Sequence, residues 1–174
     1  MVEERKGLLK LGEQDVTIVG PDVKAGDYGL DFQAMTQDWR VIDVLEEHND
    51  KVKIIAAVPS LETSICDRET RQFNQAASEL DEDIVIITIS ADLPYTQARW
   101  CGAAGIDRVL VVSDHYSTDF ATKYGCLIKE RRILRRAVFI LDRTNRVVYA
   151  EYMPALGVEP DYGAVLAAAR KALG

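Results

Sequence analysis

Cysteine and histidine are scarce in this 174-residue chain, which has three of the first and two of the second, and no Cys-x-x-Cys pair occurs anywhere. So few thiols in so long a chain make no disulfide framework, and without that pair there is no dithiol motif of thioredoxin type. His48 and His115 show none of the close spacings of a zinc site, and neither stands near a cysteine in sequence, so no metal and no cofactor is assigned. No apolar run approaches the ~18 residues needed to cross a bilayer. The charged start, Met1-Val2-Glu3-Glu4-Arg5-Lys6, has no stretch resembling a signal peptide, and a soluble, cytoplasmic protein is expected. There is no Pro/Gly/Ser-rich linker, repeat or low-complexity tract, so residues 1–174 read as a single domain.

Net charge is −7, from 28 acidic against 21 basic residues, which excludes general attraction to nucleic acid or an anionic membrane. The local exception is Lys129-Glu130-Arg131-Arg132-Ile133-Leu134-Arg135-Arg136, read as a solvated loop leading into a strand. With 48% hydrophobic residues, a domain of this length should bury roughly 70% of its unfolded surface.

Hydrophobic patterning gives an α/β chain. Leu8 to Leu11 and Val16 to Val19 read as a hairpin covering an edge, and Phe32 to Thr36 and Arg40 to Val44 as weak strands. Val52 to Val58 and Ile84 to Ile89 are nearly continuous apolar runs, as expected of central strands buried on both faces. Between them Phe73, Ala76, Ala77 and Leu80 recur at helical spacing, so strand, helix, strand implies a parallel crossover. Helices are expected over 94–104, opened by Pro94 and ended by Gly102 or Gly105, over 118–124, and over 161–172 with Tyr162, Val165, Leu166 and Ala169 inward. Arg108 to Val112 reads as a strand, and Ala137 to Leu141 with Val147 to Glu151 as a hairpin.

Cys66 is the most informative residue. It ends the run Val58-Pro59-Ser60-Leu61-Glu62-Thr63-Ser64-Ile65-Cys66, directly after a buried strand and at the start of a helical pattern. A thiolate there is stabilised by the backbone dipole, and the thiolate is the nucleophile. Thr63 precedes it by three residues, so its hydroxyl can either face Cys66 across one turn or cap the helix. Pro59, without an N–H, either shields the thiol or merely ends the strand.

Pro59, Thr63 and Cys66 stand in the Pro-x-x-x-Thr-x-x-Cys spacing of peroxiredoxins, and the chain resembles the atypical two-cysteine thiol peroxidase branch of that family. Arg71-Gln72-Phe73-Asn74, Ile89-Ser90-Ala91-Asp92-Leu93-Pro94, Gln97-Ala98-Arg99-Trp100-Cys101-Gly102, Arg136-Ala137-Val138 and Glu159-Pro160-Asp161-Tyr162 resemble it in the same order. The resemblance implies a thioredoxin-like fold with a mixed central sheet, flanking helices and an N-terminal β-hairpin. It also implies an antioxidant peroxidase that reduces hydrogen peroxide and organic hydroperoxides without metal or flavin, with thioredoxin as reductant.

The same resemblance makes Cys66 the peroxidatic residue and Cys101 the resolving residue, joined in turnover by an intramolecular disulfide. Arg136 would set a permanent cation beside Cys66, while Arg135, one strand position away, should point the other way and is assigned to solvent. Cys126 is expected to be packing. A homodimer is implied as well. Two departures stand inside the motif, where the family's usual Asp and Gly are here Glu62 and Ser64, and the segment between the two active cysteines is one residue longer than is common. A peroxide-responsive sensor using the same disulfide switch is the alternative function.

Overall fold

The computed structural model describes residues 1–174. In chain order the elements are β1 (Glu4–Leu11), β2 (Gln14–Val19), β3 (Gln33–Met35), β4 (Val41–Asp43), α1 (Val44–Glu47), β5 (Val52–Ala57), α2 (Ser64–Ala77), β6 (Ile84–Ser90), α3 (Pro94–Ala104), β7 (Leu110–Ser113), α4 (Asp119–Lys123), β8 (Leu127–Ile128), β9 (Ile133–Leu134), β10 (Ala137–Leu141), β11 (Val147–Tyr152) and α5 (Tyr162–Leu173). The main sheet has seven strands in the order β11-β10-β5-β6-β7-β3-β4. Its centre, β5, β6 and β7, is parallel, whereas β10 runs antiparallel to β5 and β3 antiparallel to β7. The sheet is therefore mixed, as expected.

Strand periodicity divides the core. Ile55, Ala57, Ile87, Ile89, Ala137 and Phe139 point to one face, where they meet Phe120, Tyr124 and Cys126. Ile54, Ala56, Ile86, Val138 and Ile140 point to the other, where α2, α3 and α5 supply Phe73, Trp100 and Val165. Cys66 and Cys101 share that second face, and Cys126 lies across the sheet from both.

Element boundaries follow local chemistry. Pro94 opens α3, and Gly105 closes it in the left-handed conformation at φ 69°, where a side chain is strained. Helix α2 begins at Ser64, two residues before Cys66, because Thr63 already takes the extended N-cap conformation. Helix α5 buries Val165 and Ala169 and half-buries Tyr162 and Leu166, the expected stripe. No helix is long and apolar enough to cross a membrane.

Three expectations need correction. The N-terminal hairpin is longer than 8–19 and does not cover an edge of the main sheet; it joins β8 and β9 in a second, four-stranded sheet of order β1-β2-β8-β9. The basic run is not one solvated loop, since Lys129 to Arg132 form an exposed turn between β8 and β9 whereas Arg135 and Arg136 are buried. Arg135 does point away from Arg136, but not into solvent. Its guanidinium stacks 4.2 Å over the Tyr152 ring and pairs with Asp22 at 3.1 Å, because the segment following β2 lies across that face.

Candidate active site

The site forms where β5 ends. Ala57 pairs with both Ile89 of β6 and Ala137 of β10, so the chain leaving β5 and the residue entering β10 emerge side by side. Pro59 is buried at the start of the connecting loop. Asp92, beyond β6, holds that loop: it accepts from Ser60 Oγ at 2.7 Å, from the Leu61 backbone N–H at 2.9 Å and from Ser90 Oγ at 2.8 Å. The loop then delivers Cys66 into the first turn of α2, fully buried.

Arg136 lies on the same sheet face as Val138 and Ile140, which turns it toward Cys66. Its Nη2 donates to Cys66 Sγ at 3.2 Å, and both Nε and Nη2 donate to the Leu156 carbonyl, at 3.1 and 2.9 Å. Arg136 thereby sets a permanent positive charge in direct contact with the sulfur. Burial opposes the charge of Arg136, but Cys66 and then Glu69 outweigh it and raise its pKa above the ordinary value.

Glu69 completes the group, and sequence reasoning missed it. It lies three residues after Cys66, therefore on the same face of α2, and Arg136 Nη1 donates to its Oε2 at 2.5 Å. Its side chain is fully buried and its Oε1 has no partner. Burial pushes the carboxyl up to about 7, against the opposing pull of Arg136. One cation therefore serves two acidic groups, Cys66 and Glu69. The signal for Glu69 was its position in the buried series Cys66, Glu69, Thr70, Phe73, but its charge reads as a solvent residue.

The remaining expected residues are placed as follows. Thr63 occupies the N-cap position, but its hydroxyl donates to the Ser60 carbonyl at 3.0 Å and bonds neither to the helix nor to Cys66. Cys101 is buried in α3 as a free thiol, and Gln37 Nε2 donates to its Sγ at 3.5 Å. Burial pushes the Cys101 thiol up, and the Gln37 bond opposes that. Cys126 is wholly enclosed on the opposite sheet face, and its Sγ lies 3.4 Å from the Tyr124 carbonyl. Polar contacts tie α2 to α3 beside the two cysteines. Trp100 Nε1 donates to Asp67 Oδ1 at 3.0 Å, Arg71 Nη1 donates to the Ala104 carbonyl at 3.4 Å, and Arg99 pairs with Glu62 just ahead of α2.

Comparison with known proteins gives the family and the fold. The family model described as Redoxin matches residues 21–166. A thiol peroxidase from Oceanobacillus iheyensis is 46% identical over 151 residues, covering 87% of this chain and 91% of the relative. The chain belongs to the thiol peroxidase family of redoxins. A Bacillus subtilis member is 46% identical over 155 residues, covering 89% of this chain and 92% of its own. Among solved structures, a peroxiredoxin-like protein from Aquifex aeolicus superimposes with a TM-score of 0.83 at 33% identity, covering 98% of each chain. A thiol peroxidase from Chromobacterium violaceum, at 22% identity and covering 97% of each chain, shares the fold with a TM-score of 0.81. The redoxin's mixed sheet and flanking helices are thus the thioredoxin-like arrangement expected of peroxiredoxins.

Proposed function

We propose that this protein is a thiol-dependent peroxidase in which Cys66 reduces hydrogen peroxide and organic hydroperoxides. The observation that carries the reading is the 3.2 Å approach of Arg136 Nη2 to the buried sulfur of Cys66 in the first turn of α2. The Cys66 thiolate attacks the terminal peroxide oxygen. The S–O bond forms as the O–O bond breaks, and the leaving oxygen takes a proton to become water or an alcohol, with Cys66 left as sulfenic acid. Arg136 favours the thiolate and offers donors to the charge developing on the leaving oxygen. Pro59 shields the pocket, and the Thr63 hydroxyl turns from Ser60 to Cys66 or the peroxide once substrate is bound.

Cys101 is the resolving residue. Its thiolate attacks the sulfenic sulfur, forming the Cys66–Cys101 disulfide and releasing hydroxide, which is protonated to water. A disulfide requires Cα atoms within about 7 Å, so the start of α2, part of α3, or both must unwind for the bond to close. Cytoplasmic thioredoxin then returns two electrons and restores both thiols. The shared sheet face of Cys66 and Cys101 supports this pairing over one with Cys126. A homodimer is also proposed. Trp39, Tyr95 and Tyr116 are exposed and form a row in which Trp39 lies 4.9 Å from Tyr95 and 5.7 Å from His115, itself 6.3 Å from Tyr116, an apolar patch of the kind a second subunit covers.

The test is to add one equivalent of hydrogen peroxide to the reduced protein, quench the free thiols and map disulfides by peptide mass spectrometry. A single intramolecular Cys66–Cys101 link, followed by turnover with thioredoxin, is expected. Cys66 left reduced ends the peroxidase reading, and a link to Cys126 or to a second chain ends the role given to Cys101.

A further inference from the structure

The β3–β4 turn reaches the second cysteine. Between Met35 and Val41 the chain reverses through Thr36 to Arg40, and this turn is locked by its own side chains. Arg40 donates its backbone N–H to Thr36 Oγ1 at 3.0 Å, Thr36 Oγ1 donates to Asp38 at 2.5 Å, and Arg40 Nε pairs with Asp38 at 2.9 Å. Trp39 takes a left-handed backbone, φ 64°, and its ring lies 4.9 Å from that of Tyr95 on α3. A rigid turn is thereby clamped against the helix that carries Cys101. From it the half-buried Gln37 extends its amide to the sulfur, as the sole hydrogen-bond partner of Cys101 Sγ.

We propose that Gln37 is a positioning residue for the resolving step: its amide N–H donates to Cys101 Sγ, favours the thiolate over the thiol and holds that sulfur until it attacks. The inference rests on the peroxidase reading above. Cys101 needs such help more than Cys66 does. Arg136 bonds to Cys66, whereas burial pushes the Cys101 thiol up and Gln37 is its one hydrogen-bond partner. The charged groups nearest in sequence are already engaged, Asp38 with Thr36 and Arg40, and Arg99 with Glu62. A neutral amide that faces the sulfur with its N–H can stabilise the anion without itself titrating. The proton leaves Cys101 for solvent, and the electron pair it leaves on sulfur becomes the new S–S bond as the S–O bond of the Cys66 sulfenic acid breaks.

The experiment has two arms. In a Cys66→Ser, Cys126→Ser background Cys101 is the only thiol, and its alkylation rate is followed against pH with Gln37 intact, with Gln37→Met and with Gln37→Glu. Gln37→Met keeps the length of the side chain and removes the donor; it should move the alkylation profile to higher pH and slow alkylation near neutrality by about threefold to tenfold, the effect of losing one hydrogen bond of ordinary strength. Gln37→Glu, which brings a carboxylate to the sulfur, should move the profile further. In the protein with all three cysteines, rapid mixing with hydrogen peroxide should show disulfide formation slowed by a similar factor relative to Cys66 oxidation in the same trace. An unchanged alkylation profile, or faster disulfide formation in Gln37→Met, overturns the proposal. The alkylation arm needs no peroxide chemistry, so if the parent protein never links Cys66 to Cys101, the peroxidase reading fails separately while the effect of Gln37 on the thiol is still read.

Discussion

Arg136 and Glu69 form a buried ion pair, 2.5 Å apart, with both side chains at most 1% exposed. The same guanidinium carries the bond to Cys66, so the reactive sulfur and a structural carboxylate depend on one cation.

Arg136→Lys keeps the charge but cannot reproduce a planar fork reaching Glu69, Leu156 and Cys66 together. Cys66 oxidation by hydrogen peroxide, followed by stopped-flow tryptophan fluorescence, should slow on the order of 100-fold, the scale of removing one preorganised donor. Arg136→Ala should in addition destabilise the protein by about 3–5 kcal/mol in urea unfolding, because Glu69 is left buried without its partner. Pairing it with Glu69→Gln should recover a large part of that loss. A full-rate Arg136→Lys enzyme would remove Arg136 from the chemistry.

Two buried carboxyls give a pH signature. Burial pushes Glu69 up to about 7 from an ordinary value of 4.5, and Asp114, which caps α4 through Phe120 and Ala121, up to about 7 from 3.8. A group with a raised folded pKa contributes stability that is fully present below its unfolded pKa and is lost as pH rises through the folded one. Stability should therefore fall between about pH 4 and pH 8, on the order of 3–4 kcal/mol for each group at about 1.4 kcal/mol per pH unit between its two pKa values. Urea midpoints measured across that range check the slope, and Glu69→Gln should flatten it. A slope of the opposite sign would refute the assignment.

Thr63 separates a chemical role from a local one. Thr63→Ser should retain Cys66 oxidation within about twofold, whereas Thr63→Val should slow it about tenfold, within the range of one lost donor to a charged group. If Thr63→Val only lowers stability, by about 1 kcal/mol, the hydroxyl serves the Ser60 turn alone.

The contacts between α2 and α3 should oppose closure of the proposed disulfide. Trp100→Phe keeps an aromatic ring, though a smaller one, and removes the N–H that Asp67 accepts, a bond of about 1 kcal/mol. Quenched-flow measurement of Cys66–Cys101 formation should then show a rate increase of up to about fivefold. A slower rate would mean that this contact aligns the helices rather than restraining them.

Residues 52–58 and 84–89 were legible as central strands, because a strand covered on both faces must be apolar at nearly every position. Helix α3 was legible over 94–104, since Pro94 sets its start locally, and of the two glycines that could end it Gly105 is the one that takes the left-handed turn. Cys66 at a helix start, and the opposite directions of Arg135 and Arg136, follow from position and period alone.

What covers each direction is not local. Arg135 was expected in solvent and is buried because Asp22 and Tyr152 arrive from 113 residues earlier in the chain and from the neighbouring strand. Glu69 reads as a solvent charge until Arg136, 67 residues away, is brought against it. Asp92 and Gln37 likewise gain their roles only when the ends of β6 and the β3–β4 turn converge on the two cysteines. The sequence by itself determined the central strands, the longer helices, their faces and the candidate thiol, since these depend on neighbours within a few positions. Only the tertiary structure decided which polar groups would share the buried space around that thiol, because a buried charge is set by partners that chain proximity does not specify.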